Sequence, residues 1–294
     1  MPRYYVMGGR QRPSRLLTRD EWFAYEKAVV VELDTDTGRT RTVLEYASPP
    51  GRRPVKSPSH VFKAGSWDGE HLLLCTQTEV VVFDPAREQV VRTISHPWMN
   101  DVHHVARIGG RLHVVSTGLD ALLVLDDEGE VQDLHSAIDA PTWRRHDERT
   151  DYRMVPTTKP HAAHPNYVFE ADGEVWLTRF EQRDAICLAD RSRRVPLADD
   201  PVHDGVNQGE HTWFTVVSGQ VVQVDTRTAS VVNRYDLTRM DWDKGRPMGW
   251  CRGIHHEADR TLLAFSRLRP TALKQNLAWL RKPLGKAPEA APTR

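Results

Sequence analysis

Fourteen histidines are spread along the 294 residues, and eight of them fall in short polar stretches that lead into apolar, strand-like runs. They are His60 in Ser57-Pro58-Ser59-His60, His103 and His104 in Asn100-Asp101-Val102-His103-His104, His161 and His164 in His161-Ala162-Ala163-His164, His203 in Pro201-Val202-His203-Asp204, and the pair His255-His256. A neutral imidazole is the commonest protein ligand of several transition metals, and three or four of them with one position left open make a catalytic centre. Neighbouring side chains of a strand point to opposite faces, so one member of His103-His104 and one of His255-His256 reaches a given centre. The expected ligand set is His60, His104, His164, His203 and His256, with Asp101, Asp204 and Glu257 near enough in sequence to orient an imidazole or accept a proton. A lone histidine at the start of a strand more often makes an ordinary hydrogen bond. Recurrence about every forty residues, rather than any single histidine, carries the metal reading. His71, His113 and His211 lie at the following strand, and His96, His135 and His146 lie in turns or in an insert. Those six read as structural or surface residues.

A repeat in the chain brings these stretches together. A short β-type run, a turn and a second run ending in Asp recur as Leu72 to Thr76 with Val80 to Asp84, then as His113 to Ser116 with Leu122 to Asp126. Val175 to Thr178 with Ala185 to Leu188, and Trp213 to Val217 with Val221 to Asp225, repeat the pattern. Each unit adds one extended stretch before the pair and one after it, as in Gln89 to Ile94 and Ser230 to Tyr235. Four short strands in roughly 40 residues, repeated, describe the blades of a β-propeller. Ala28 to Asp34 with Thr40 to Tyr46, and Gly249 to Phe265, supply half-blades whose union closes a ring and removes the open sheet edges. The reading is an all-β propeller of about five four-stranded blades, with six as the alternative if residues 137–158 hide further strands. Residues 1–270 form the propeller, with a lid-like insert near 137–158. Residues 271–294 add a helix, marked by Leu273, Leu277 and Leu280, and a disordered tail rich in Pro and Ala.

Composition narrows the partners. Lys plus Arg and Asp plus Glu are 40 each, for a net charge of +0, so no global field attracts nucleic acid or an anionic membrane. No apolar run approaches the ~20 residues that span a bilayer, and Met1 to Tyr5 lacks the apolar core of a signal peptide. The expectation is a cytoplasmic protein with a small-molecule substrate. Cys75, Cys187 and Cys251 are widely spaced and read as reduced core thiols. The glycine pairs Gly8-Gly9 and Gly109-Gly110 open no helix and signal turns rather than a phosphate loop. Arg179, Arg252 and Arg267 read first as solvated surface residues.

The run Asn100 to His104, followed by Gly110-Arg111-Leu112 and Thr117-Gly118-Leu119-Asp120, together with His203-Asp204-Gly205, resembles a group of poorly characterised bacterial β-propeller proteins. It is broadly similar to the gluconolactonase and strictosidine-synthase type of propeller. The likeness spans blades two to four and implies the propeller fold and a divalent ion at the channel, which lactonase-type propellers hold with Glu, Asn and Asp. Carotenoid-cleaving oxygenases and certain polysaccharide lyases resemble the chain in architecture, and their propellers hold iron or manganese with histidine.

Together these readings point to a metal-dependent enzyme, an oxidoreductase or a lyase or hydrolase, that uses iron, copper, zinc or manganese on a small molecule at the channel mouth. The competing readings are a metal-free site using histidine as acid or base, and a non-catalytic binding propeller whose histidines are structural.

Overall fold

The computed structural model describes residues 3–12, 25–56, 58–225, 227–240, 249–257 and 260–266. The helix and tail expected at 271–294 lie outside the described residues. Five antiparallel blades stand in a ring. Four of them have four strands each, in sequence order from the channel outward. Blade one comprises β4 (Ala64–Asp68), β5 (His71–Cys75), β6 (Val80–Asp84) and β7 (Gln89–Ile94). Blade two comprises β8 (Val102–Ile108), β9 (Arg111–Ser116), β10 (Ala121–Leu125) and β11 (Val131–Ser136). Blade three comprises β12 (Pro165–Ala171), β13 (Glu174–Arg179), β14 (Asp184–Cys187) and β15 (Arg194–Pro196). Blade four comprises β16 (Val202–Gln208), β17 (His211–Val216), β18 (Gln220–Asp225) and β19 (Ser230–Asp236).

The middle strands read as continuous apolar runs because neighbouring blades cover both of their faces. β6 and β10 are buried at every position, while β7 is exposed along most of its length. Side chains of β8 divide between two cores. Val105 packs with Leu73 and Val82 of blade one, and Ile108 packs with Val168 and Leu177 of blade three. The aspartate that recurs at the end of the second apolar run has a local cause. Asp84 Oδ1 accepts the N–H groups of Ala86 and Arg87 at 2.9 and 3.0 Å, Asp126 Oδ1 those of Gly129 and Glu130 at 2.9 Å, and Asp225 Oδ1 those of Arg227 and Thr228 at 2.9 and 3.1 Å. Each is a carboxylate mimicking a backbone turn, which sends the chain back into the outermost strand.

The closure differs in detail from the sequence expectation. The fifth blade is three-stranded and consists of β1 (Arg3–Gln11), β2 (Tyr25–Asp34) and β3 (Thr40–Tyr46), while β20 (Cys251–His256) and β21 (Thr261–Phe265) form a separate two-stranded sheet. β1 pairs along β2 from Arg3 with Asp34 to Gln11 with Tyr25, which occupies the edge that β21 would have used. Gly8 accepts from Phe62 N–H, Gly9 lies against His60, and the Tyr5 ring lies 6.0 Å from Trp67. β1 therefore runs antiparallel to the segment leading into β4. β1 and the turn between β20 and β21 still meet. The Tyr4 hydroxyl bonds Glu257, Arg260 Nε donates to Glu257 at 2.5 Å, and the Tyr4 and His255 rings lie 5.8 Å apart. No helix among the described residues is long and apolar enough to cross a membrane.

Residues 137–158 contain two 3₁₀ turns, Thr142–Arg144 and Tyr152–Met154, and no strand. The insert is fastened to blade two. Asn100, wholly buried, donates from Nδ2 to the carbonyls of Tyr152 and Val155, both at 2.8 Å, and Trp98 donates to the Glu148 carbonyl while its ring lies 4.7 Å from Trp143. Asn100→Ala leaves two buried carbonyls without their donor, at about 1–3 kcal/mol each. Urea unfolding should show a loss of about 2–6 kcal/mol, and limited proteolysis should cut between 140 and 155 first. Unchanged protection of the insert would show that Asn100 does not hold it.

Candidate functional site

The inner strands β4, β8, β12, β16 and β20 all begin at one mouth of the channel, and the ladders of the last four break there in a common way while β4 pairs in unbroken register. In β8, Val102 opposes Ser116 and His104 opposes Val115, so His103 is an extra residue. His203 is the extra residue in β16, between Val202 and Asp204, and Arg252 in β20, between Cys251 and Gly253. β12 slips at the same place, between Pro165 and Val168. A bulge of this kind takes one side chain out of the strand's alternation and re-aims it. Just before β8 and β12, Asp101 and His164 hold φ of 53° and 52°, a left-handed conformation that Asp and His tolerate better than most residues.

These breaks gather side chains at the mouth. The His103 ring lies 5.1 Å from His164 and 6.0 Å from His203, and the His161 ring lies 4.9 Å from His164. Lys63, immediately before β4, pairs with the Asp101 carboxylate. The Arg252 guanidinium lies 5.0 Å over the Trp250 ring, and Phe180 stands 4.9 Å from His164. All of them line a channel of about 2500 Å³.

Hydrogen bonds set which nitrogens carry protons. His103 Nδ1 lies 2.8 Å from the Asp101 carbonyl oxygen, which can only accept, so Nδ1 holds the proton and Nε2 the lone pair. The Thr158 hydroxyl donates to the Gly118 carbonyl at 2.5 Å and lies 3.4 Å from His161 Nε2, so its oxygen accepts from Nε2–H. His161 Nδ1 is left with a lone pair, 3.1 Å from His164 Nδ1. Burial holds these imidazoles neutral. It pushes His103 well below its usual range, helped by the charge of Lys63. It takes His164 down to about 2, helped by His161 and Lys159, and His161 down to about 4.

Of the residues expected from sequence, His164 and His203 stand at this mouth and the other three histidines do not. His60 Nδ1 accepts from Ser48 N–H at 3.3 Å. His104 packs its ring 4.4 Å from Tyr167, between blades two and three, and accepts from Val168 N–H at 3.4 Å. His256 lies 4.6 Å from the Trp213 ring, with Nδ1 2.7 Å from Thr261 Oγ1. One member of His103-His104 does face the centre, but the bulge makes it His103. Both His255 and His256 lie at the far end of β20. Asp101 serves the cluster through its carbonyl and its pairing with Lys63. Asp204 lines the channel near Tyr167 and Cys251, and loss of solvent pushes its carboxyl up to about 7. Glu257 is at the opposite mouth, bonded to Tyr4 and Arg260. His103, His161, Lys63 and Arg252 are the additions, and Arg252 lines the channel instead of the outer surface. Among the described residues no three His, Cys, Asp or Glu side chains converge closely enough to hold a metal ion as they stand.

No protein family and no curated protein sequence matches the chain. Solved structures resemble its fold. Virginiamycin B lyase from Staphylococcus aureus aligns over 81% of this chain and 70% of its own at 11% identity and a TM-score of 0.49. The computationally designed Ika8 protein aligns over 81% of this chain at 8% identity and 0.45, and Saccharomyces cerevisiae Sqt1 over 82% at 10% and 0.46. The chain spans 64% of the length of each of the latter two. Identities and scores this low bear on neither activity nor ligand.

The buried His104 makes acid stability testable. Unfolded, it takes up a proton below about 6.5; folded, burial keeps it neutral down to about 3. The unfolded state therefore binds more protons across that window, so the full stability present above pH 6.5 is lost progressively as pH falls toward 3, by up to about 1.4 kcal/mol per pH unit. His104→Asn, which keeps an acceptor for Val168, should flatten the fall in unfolding free energy between pH 6.5 and 4. An unchanged slope would place the titrating group elsewhere.

Proposed function

We propose that the protein is a metal-dependent enzyme that acts on a small molecule at the histidine-lined mouth, by oxidative or by lyase or hydrolase chemistry. The observation that carries this reading is the approach of His161 Nδ1 to within 3.1 Å of His164 Nδ1. Two imidazole nitrogens bound to one ion at about 2.1 Å each lie about 3.0–3.4 Å apart. His103 offers Nε2 beside this pair, its other nitrogen tied to a backbone carbonyl as metal-bound histidines commonly are. In this reading His103 or His203 is the third ligand. Iron, copper, zinc and manganese all accept imidazole, and such an ion with an open position polarises a carbonyl or activates an oxidant. Lys63 and Arg252 supply positive charge for an anionic group of the substrate. Asp204, its carboxyl pushed up to about 7, suits proton exchange near neutrality. The same 3.1 Å is also an ordinary hydrogen-bond distance between the two rings, which supports a second reading, a metal-free binding propeller with structural histidines in which Lys63 and Arg252 hold a small anion.

Elemental analysis and cobalt titration of the purified protein separate the two. The metal reading expects one ion per chain and a melting temperature that rises with added metal. His103→Ala and His164→Ala should lower affinity more than tenfold, whereas His60→Gln and His256→Gln should leave it unchanged. A protein that retains and binds no transition metal, and whose stability ignores chelation, is the binding propeller instead.

A further inference from the structure

His161 and His164 lie on a loop, residues 160–164, that belongs to no blade, and the loop is wrapped around one side chain. Asp120 follows the Thr117–Leu119 turn in a left-handed conformation, φ 51°, and is 2% exposed. Its carboxylate accepts three successive backbone N–H groups, those of Ala162 at 2.7 Å, Ala163 at 2.9 Å and His164 at 2.8 Å. Arg145, from the insert, makes a charged bond to the same carboxylate and donates to the Pro160 carbonyl at 3.0 Å. The loop's carbonyls face the other way. Phe180 N–H donates to His164 at 3.2 Å, Glu181 N–H to Ala163 at 3.1 Å, and Gln182 Nε2 to Ala162 at 2.9 Å.

Consecutive amides aimed at one point form an anion-binding concavity, here filled by a carboxylate of the neighbouring blade. A buried carboxylate with fewer partners would be costly, so the amides and Arg145 are bound to it as much as it is to them. Fixing three consecutive N–H vectors fixes the backbone between the two histidines, including the left-handed His164. We infer that Asp120 is the positioning residue that sets His161 and His164 as adjacent ligands, with Arg145 coupling the insert to that setting. The inference rests on the metal reading for its consequence and on geometry for its cause.

Cobalt(II) titration of the full chain, followed by the visible spectrum, tests it. Asp120→Ala should bind cobalt about 10- to 100-fold more weakly and with an altered spectrum. Asp120→Asn, which keeps an acceptor for the amides but loses the charge facing Arg145, should fall between. Asp184→Asn, which weakens the buried pair with Arg179 in blade three, serves as the control for general destabilisation. Wild-type affinity and spectrum in a folded Asp120→Ala protein would overturn the inference, and so would an equal loss in the control. If Asp120→Ala does not fold, Asp120→Asn is read in the same way, and wild-type affinity and spectrum there overturn it. If the unaltered protein takes up no cobalt, the metal reading is what fails. Positioning is then judged from the imidazole ¹⁵N resonances of His161 and His164, which should move in the Asp120 variants. Resonances that stay in place would overturn it.

Discussion

Side chains of an unbroken inner strand alternate between the two faces of a blade, and in this ring both faces are covered by neighbouring blades. Val105 and Ile108 of β8 show the rule, one packed toward blade one and the other toward blade three. Such a strand offers the channel mainly its backbone edge. The break in register near the start of β8, β12, β16 and β20 is what lets side chains leave the inter-blade cores and meet on the axis. His103, His203 and Arg252 are all residues at that break. Without it they would be packing residues, as His104 is.

Electrostatics follows from the same geometry. Side chains crowded at the mouth lose solvent, and loss of solvent favours the neutral imidazole and the protonated carboxyl. His103, His161 and His164 therefore present lone pairs at neutral pH, beside the Lys63–Asp101 pair. A group of neutral bases flanked by fixed cations suits a positive ion only where several nitrogens share it, and suits an anion through the cations themselves. Both ligand classes draw on side chains that the break in register supplies.

The propeller was legible in the sequence because the blades repeat the same local physics: a buried apolar pair in each, and in blades one, two and four an aspartate at its end that turns the chain. Closure was less legible. β1 reads Arg3-Tyr4-Tyr5-Val6-Met7-Gly8-Gly9-Arg10-Gln11, with too little alternation or apolar content to mark an inner strand, yet it occupies the edge of β2. The site was visible as a neighbourhood and blurred in detail. Period-2 alternation rightly allowed one member of His103-His104 to face the centre, but one inserted residue reverses which one, and nothing in Val102-His103-His104 announces the insertion. His161 and Asp120 escaped for another reason. Their relation is a set of backbone amides meeting a carboxylate some forty residues away, which leaves no periodic trace. The spacing His161-Ala162-Ala163-His164 was the available signal, two imidazoles with only small residues between them.

The mouth draws Lys63, His103, His164, His203 and Arg252 from five different inner strands or the residues just before them, so no fragment of the chain contains the site. Each blade is a local meander that can form early, because its contacts are close in sequence. Bringing Lys63 to Arg252 closes most of the chain into one loop, and such non-local contacts are made late because their entropy must be overcome first. A ligand that needed all five of these side chains would therefore bind only a chain that has completed its circuit, and by binding the closed ring it would favour that state over the open one.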